Sequence, residues 1–239
     1  MRLWFERLIE QFKFVEDETT ARRVLHELTR QAGFDQFAYA RVQDNTLSVI
    51  SDYHQAWQER YFKKGYLAVD PVMVGIRHRR QAFAWSNKPA GRTGRQTPES
   101  RARQLFFEEA DGFGIRSGVS IPVAAGFGNT AVLTLASHDS DYAERWVVDP
   151  VIAASAVGHI CARLDTTAMT TRPIRPVKLS TNELTCLRWA TEGKSLKVIA
   201  ILENTTYANV RYFLRNAKRE LNAQTLTQAG KIATQLRLL

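Results

Sequence analysis

"LSTNELTCLRWATEGKSLKVIAILENTTYANVRYFLRNAKREL" runs from Leu179 to Leu221, and its spacing decides how the last third of the chain is built. Ser180 and Glu183 stand in the S-x-x-E arrangement of a capping box, in which the two side chains satisfy amide groups left without partners at a helix start. Leu184, Leu187 and Ala190 then give that helix an apolar face, and Gly193 stands where a left-handed cap ends it most easily. Ser195 is placed to cap a second, short helix from Leu196 to about Glu203, with Ile199, Ala200 and Leu202 inward. "ENTTYA" breaks that helix, and Thr206 is placed to cap a third over Tyr207–Leu221. There Val210, Leu214, Ala217 and Leu221 form one apolar stripe at helical spacing, and Arg211, Arg215, Lys218 and Arg219 form a basic stripe beside it. Helix, glycine turn, short helix, tight turn and basic helix together predict a helix-turn-helix, with Tyr207–Leu221 as its recognition helix.

Charge supports the same division. The 239 residues carry a formal net charge of +9. Residues 1–170 hold 21 Lys/Arg and 20 Asp/Glu, whereas residues 171–239 hold 12 and 4, so +8 of the excess lies in the last third. A near-neutral large part joined to a small basic part suits nucleic-acid binding, because phosphate neutralisation supplies most non-specific affinity. Between the two, "DTTAMTTRPIRPVK" has two prolines, four threonines and no apolar periodicity, which predicts an exposed linker. "RHRR" at 77–80 lies outside the basic part and reads most simply as a solvated turn.

The first 165 residues alternate differently. Amphipathic helical patterns fall near Leu3–Phe12, Thr20–Gln31, Gln55–Lys63, Glu99–Asp111 and Glu144–Leu164. Strand-like runs are "QFAYARV", "LSVISDY", "AFAW", "SGVSIPVA" and "TAVLTLAS". With few strand–helix–strand alternations, the expectation is an α+β fold in which helices cover an antiparallel sheet. Acids at Glu6 and Glu10 within the first apolar pattern argue against a secretory segment, and no apolar run approaches the roughly 18 residues that span a bilayer. Cys161 and Cys186 lack CxxC spacing and read as buried thiols in a reducing compartment, so a cytoplasmic location without membrane contact is expected.

Catalytic readings fare poorly. In "GFGIRSG" the glycines at 112, 114 and 118 have one residue too many for a dinucleotide loop. His159 and Cys161, two apart on a helix, point away from each other. No metal or catalytic motif is present, and no cofactor is expected.

Residues 179–239 resemble the DNA-binding domain of LuxR-type transcription regulators, at Glu183, Gly193, Ile199, Ala200, Val210 and Leu221. "YHQAWQERYFKKGYLAVDPV", "FAW" and "GFGIRSGVSIPV" are similar to the family's autoinducer-binding domain, at Trp57, Tyr61, Asp70, Pro71, Trp85 and Gly118. Tyr207, Val210, Arg211, Leu214 and Arg215 share the arrangement of TraR-like receptors, while Phe213 and Glu220 depart from many members.

The resemblance implies an α/β/α sandwich with a central antiparallel sheet over 1–165 for ligand binding and dimerisation, a linker over 166–177, and an all-α four-helix helix-turn-helix domain over 178–239. It implies a quorum-sensing transcription factor that binds an N-acyl homoserine lactone and acts as a homodimer on an inverted repeat of double-stranded DNA, with RNA polymerase as a further partner. Asp70 would accept the ligand amide N–H, Trp57 would donate to the lactone carbonyl and Tyr53 to the acyl carbonyl. Tyr61 and Trp85 would complete the site, and Thr134 stands where a 3-oxo group is contacted. Tyr53, Trp57 and Tyr61 fall on one face if their segment is helical. For DNA, Arg211 and Arg215 would read base edges, and Lys194, Lys197, Lys218 and Tyr207 would serve phosphates. The implied dimer surfaces are Glu144–Leu164 and Leu226–Leu238. A solo or antagonistic regulator of the same family that does not respond to a lactone, and activation as against repression, stay open.

Overall fold

The structure, a computed structural model, describes residues 2–43, 46–76, 79, 81–88, 97–125, 129–146, 149–165, 169, 171–174, 177–236 and 238–239. Of "RHRR" only Arg79 is among them. The chain divides into two compact units, residues 1–41 with 49–169, and residues 42–48 with 170–239.

Along the chain, helices α1 (Arg2–Phe12) and α2 (Glu18–Gln31) precede strands β1 (Gln36–Gln43) and β2 (Thr46–Ser51), of which residues from 42 to 48 are counted in the second unit. Helices α3 (Gln55–Lys63) and α4 (Pro71–Gly75), strand β3 (Phe83–Ser86) and helix α5 (Pro98–Asp111) follow, and then strands β4 (Ser117–Ala124) and β5 (Thr130–Ser137) and helix α6 (Pro150–Leu164). With β6 (Thr171–Pro173) the strands form one sheet in the order β3-β4-β5-β1-β2-β6, and the β3–β4, β4–β5 and β2–β6 pairs are antiparallel. The chain is α+β, with helices on both faces of the sheet.

The two faces differ because side chains alternate along a strand. On one face, Val119 and Ile121 of β4 and Leu133 and Leu135 of β5 pack with α1, α2 and α6 in a core that includes Phe5, Phe12, Leu28 and Ile160. The opposite face of the same strands carries Gly118, Ser120, Thr134 and Ala136. In register, Trp85 pairs with Gly118 and Gly118 with Ala136, while Ser120 pairs with Thr134. These small residues leave room above the sheet for a second, aromatic cluster under α3 and α5.

Helix starts follow local chemistry. Asp70, Thr97 and Asp149 each cap a helix whose next residue is proline, a residue that loses nothing at the first helical position. This corrects the expected helix over Glu144–Leu164. Pro150 cannot lie inside a helix, so α6 begins there, and Ala143–Arg145 is a separate 3-10 turn. Among the described residues no helix is long and apolar enough to cross a membrane, and no three His, Cys, Asp or Glu side chains gather as metal ligands.

The second unit holds α7 (Thr181–Thr191), α8 (Leu196–Leu202), α9 (Tyr207–Glu220) and α10 (Leu226–Gln235). The Ser180–Glu183 capping box is formed in both directions, and Ser195 and Thr206 cap α8 and α9. Gly193 ends α7 with φ of +81°. Ile199, Val210, Leu214, Ala217 and Leu221 are buried with Cys186, Leu187 and Ile232. Leu202, expected inward, is exposed, since α8 is only two turns long and Ile199 and Ala200 already fill its contact with α9. The segment read as an exposed linker contains β6, in which Thr171, Arg172 and Pro173 pair with Ser48, Leu47 and Thr46 of β2.

Candidate functional site

The aromatic cluster of the first unit is built around Trp57, which is 2% exposed. Its ring lies 5.9 Å from Tyr66, 5.8 Å from Phe106, 5.5 Å from Phe113 and 6.0 Å from Tyr61. Tyr53 and Trp85 pack against the same cluster. Tyr53 precedes α3, so only Trp57 and Tyr61 share the helical spacing expected of all three. Tyr53 is held by its backbone instead, with its N–H donating to Ser51 Oγ at 3.0 Å and its carbonyl accepting from Gln58 Nε2 at 2.7 Å.

Asp70 meets this cluster through Tyr61. The Tyr61 hydroxyl donates to Asp70 Oδ2 at 2.7 Å, and the Val72 N–H donates to Oδ1 at 2.8 Å. The carboxylate therefore caps α4 and faces the aromatics, with lone pairs to spare on both oxygens. Burial pushes its pKa above the usual carboxylate value, against the opposing pull of the Tyr61 and backbone hydrogen bonds and the Arg103 charge. Burial also drives the Tyr53 and Tyr61 phenols upward, reinforced by the Asp70 charge, so both keep their protons across the physiological range.

The polar groups divide into spent and unspent. Trp85 Nε1–H donates to Ser120 Oγ at 3.0 Å, and Ser120 Oγ lies 2.9 Å from Thr134 Oγ1. Thr134 is thus tied into a chain that fixes the Trp85 indole over Gly118. By contrast, neither the Trp57 indole N–H nor the Tyr53 hydroxyl has a hydrogen-bond partner among the described residues. All six residues singled out in the sequence lie on one face of the sheet. Tyr66, Phe106, Phe113 and Ser120 were missed, although the density of aromatics between residues 53 and 113 was a signal. A cavity of about 720 Å3 adjoins the cluster, with Val69, Pro71, Trp85 and Phe107 among its walls.

In the second unit, α9 buries Val210, Leu214 and Ala217 and exposes Arg211 and Arg215. Lys194, Lys197 and Tyr207 are exposed as well. Lys218 is half-buried, and its ammonium donates to the Gln224 carbonyl at 3.3 Å, which draws it towards the end of its own helix. Tyr212, not singled out earlier, is exposed, with the Arg215 guanidinium 5.8 Å from its ring centroid.

A model of the autoinducer-binding domain matches residues 17–160. Across 100% of both chains the protein is 30% identical to the transcriptional activator protein TraR of Agrobacterium vitis. Among solved structures, SdiA of Escherichia coli matches over 98% of this chain and 97% of its own, with a TM-score of 0.52 and 18% identity. CepR2 of Burkholderia cenocepacia, described as an N-acylhomoserine lactone dependent LuxR family transcription factor, matches over 68% of this chain and 94% of its own, with a TM-score of 0.53 and 20% identity. The structural likenesses speak to the fold, and the full-length identity to TraR speaks to descent. With the aromatic cluster in one unit and the helix-turn-helix in the other, the chain belongs to the LuxR-type family of quorum-sensing transcriptional activators that carry an autoinducer-binding domain.

Proposed function

We propose that the chain binds an N-acyl homoserine lactone through residues 1–165 and, as a homodimer, binds an inverted repeat of double-stranded DNA through residues 178–239, acting with RNA polymerase in the cytoplasm. The observation that carries the ligand reading is the pairing of two unspent donors with a desolvated acceptor. The lactone presents one amide N–H and two carbonyls, and the cluster offers the Asp70 carboxylate, the Trp57 indole N–H and the Tyr53 hydroxyl. In this reading Asp70 accepts the amide N–H as a charge-assisted bond, Trp57 donates to the ring carbonyl and Tyr53 to the acyl carbonyl. Tyr61 orients the carboxylate. Trp85 contributes its ring face, because its N–H is already bound to Ser120. Thr134 reaches a ligand substituent only by sharing its bond with Ser120. The lactone dependence stated for CepR2 supports the reading.

The DNA reading rests on the exposed basic face of α9. Arg211 and Arg215 have the fork geometry that reads guanine O6 and N7, and Lys194, Lys197, Lys218 and Tyr207 serve phosphates. One recognition helix reads only a few base pairs, so a two-fold dimer over an inverted repeat supplies the rest. The test is to express the protein with a panel of acyl homoserine lactones and analyse by mass spectrometry what the folded protein retains. Retention of an intact lactone by the parent, and its loss in Asp70→Asn, is expected. A folded parent that retains none of the panel would overturn the ligand reading.

A further inference from the structure

The exposed face of α9 is chemically narrow, and that restricts which base pairs it can read. Ala208, Arg211, Tyr212, Arg215 and Arg219 fall at i, i+3, i+4, i+7 and i+11, one stripe along the helix, and all five are exposed. The opposite stripe of Val210, Leu214 and Ala217 is buried. Guanine is read through O6 and N7 by guanidiniums, adenine by the carboxamides of Asn or Gln, cytosine by carboxylates, and thymine by apolar contact with its C5 methyl. The stripe offers guanidiniums, one methyl and one aromatic ring, and holds neither a carboxamide nor a carboxylate. The carboxamide of Asn209 lies outside it and donates from Nδ2 to Thr205 Oγ1 at 3.1 Å. Glu220 is also outside it, 4.0 Å from Arg219.

Tyr212 is the member of this stripe that neither charge nor the core accounts for. It is 52% exposed, although an aromatic ring gains most by burial. Its orientation is nonetheless constrained from two sides. The Phe213 ring, which packs on the core of the second unit, meets it edge-on at 5.9 Å, and the Arg215 guanidinium lies 5.8 Å from its centroid. A guanidinium against a ring face keeps its in-plane N–H groups for a base. Whichever base pair Arg215 reads, the Tyr212 ring therefore stands beside it. Resting on α9 as the recognition helix, we propose that Tyr212 determines specificity: its ring takes the C5 methyl of a thymine in the base pair next to the guanine read by Arg215. Each half-site then carries guanine with thymine in a neighbouring pair. Ala208, one turn before Tyr212, adds only a methyl and lets the helix approach the groove floor.

The test uses full-length protein purified after expression with the lactone panel. Preferred sites are selected from a random DNA pool, and each thymine of one half-site is then replaced in turn by deoxyuridine, which removes the C5 methyl and leaves base pairing intact. Selected half-sites are expected to hold thymine beside guanine. Loss of that one methyl is expected to weaken the parent about three- to fivefold, as for one buried methyl group. Tyr212→Phe should keep this discrimination and Tyr212→Ala should lose it. A ring that only braced Arg215, or a hydroxyl that only met phosphate, would change affinity for thymine and deoxyuridine sites alike. Half-sites with guanine but no neighbouring thymine, or a parent indifferent to every methyl, overturn the proposal and leave the recognition-helix reading standing. So does discrimination that survives Tyr212→Ala. Enriched sites without guanine overturn it together with the base-reading roles of Arg211 and Arg215. If no site is enriched, the DNA reading falls as a whole.

Discussion

Asp70 holds a carboxylate where water is scarce, and that has two opposite consequences with pH. Burial raises its pKa in the folded chain above the ordinary value of 3.8. Between those two values the folded state binds more protons than the unfolded one, so the ligand-free protein loses stability as pH rises through that window. A ligand whose N–H bonds to the ionised form acts the other way, and its affinity falls as pH drops through the raised pKa. Asp70→Asn should abolish both slopes. Melting curves from mildly acid to neutral pH, for parent and variant with and without lactone, would read them, and identical pH slopes in the two proteins would refute the assignment. Gly118 makes a second residue-level case. A Cβ there would strike the Trp85 indole and stand 2.6 Å from the Leu135 carbonyl oxygen, so Gly118→Ala should displace Trp85 and cost about 1–3 kcal/mol of stability by overpacking. A variant with unchanged melting temperature and tryptophan emission would show that the strands give way instead. Nothing in the order of residues revealed this need, because Trp85 and Gly118 meet only through the β3–β4 register.

Elements whose limits depend on neighbouring residues were the ones legible in advance. The boundaries of α3 and the caps of α7, α8 and α9 follow from residues at most four positions apart, and they fall where local chemistry put them. Strands β1 to β5 were visible from apolar alternation, but their order was not, since pairing joins residues far apart in sequence. Strand β6 was hidden because Thr171–Pro173 has no periodicity and gains its bonds from β2. Helix α4 is only five residues long and left no repeat to detect, although Asp70 before Pro71 is the same cap-and-proline pair that opens α6. The binding residues were legible as a group through family resemblance, while their division into spent and unspent hydrogen-bonding groups needed three dimensions. Helix α9 carries the prediction at this scale. Arg211→Ala and Arg215→Ala should each cost about 1–3 kcal/mol on the specific site and relax preference at the base each reads, with melting unchanged because both are exposed. Selection of preferred sites from a random DNA pool would report it, and intact preference in both variants would mean that another face of α9 meets the bases.

For the molecule as a whole, the separation of charge constrains how many copies stand on DNA. Excess charge of +8 lies in residues 171–239, so binding should weaken steeply with salt whatever the ligand does. Each phosphate neutralised contributes about 0.9 to the slope of log K against log salt. A symmetric dimer makes every contact twice, so removing one side chain from the sequence removes two from the complex. Lys197 is suited to count them, because it is exposed and, unlike Lys218, donates to no carbonyl among the described residues. In full-length protein bound to its specific site, Lys197→Ala should therefore lower the slope by about 1.8 if two protomers bind and by about 0.9 if one does. The measurement is a salt titration of parent and variant by fluorescence anisotropy, with lactone present so that the ligand-dependent step is saturated. A reduction near 0.9 would remove the homodimer from the proposed function, and no reduction would place Lys197 off the phosphate backbone. Because the readout is a difference between slopes, it does not depend on knowing the absolute affinity.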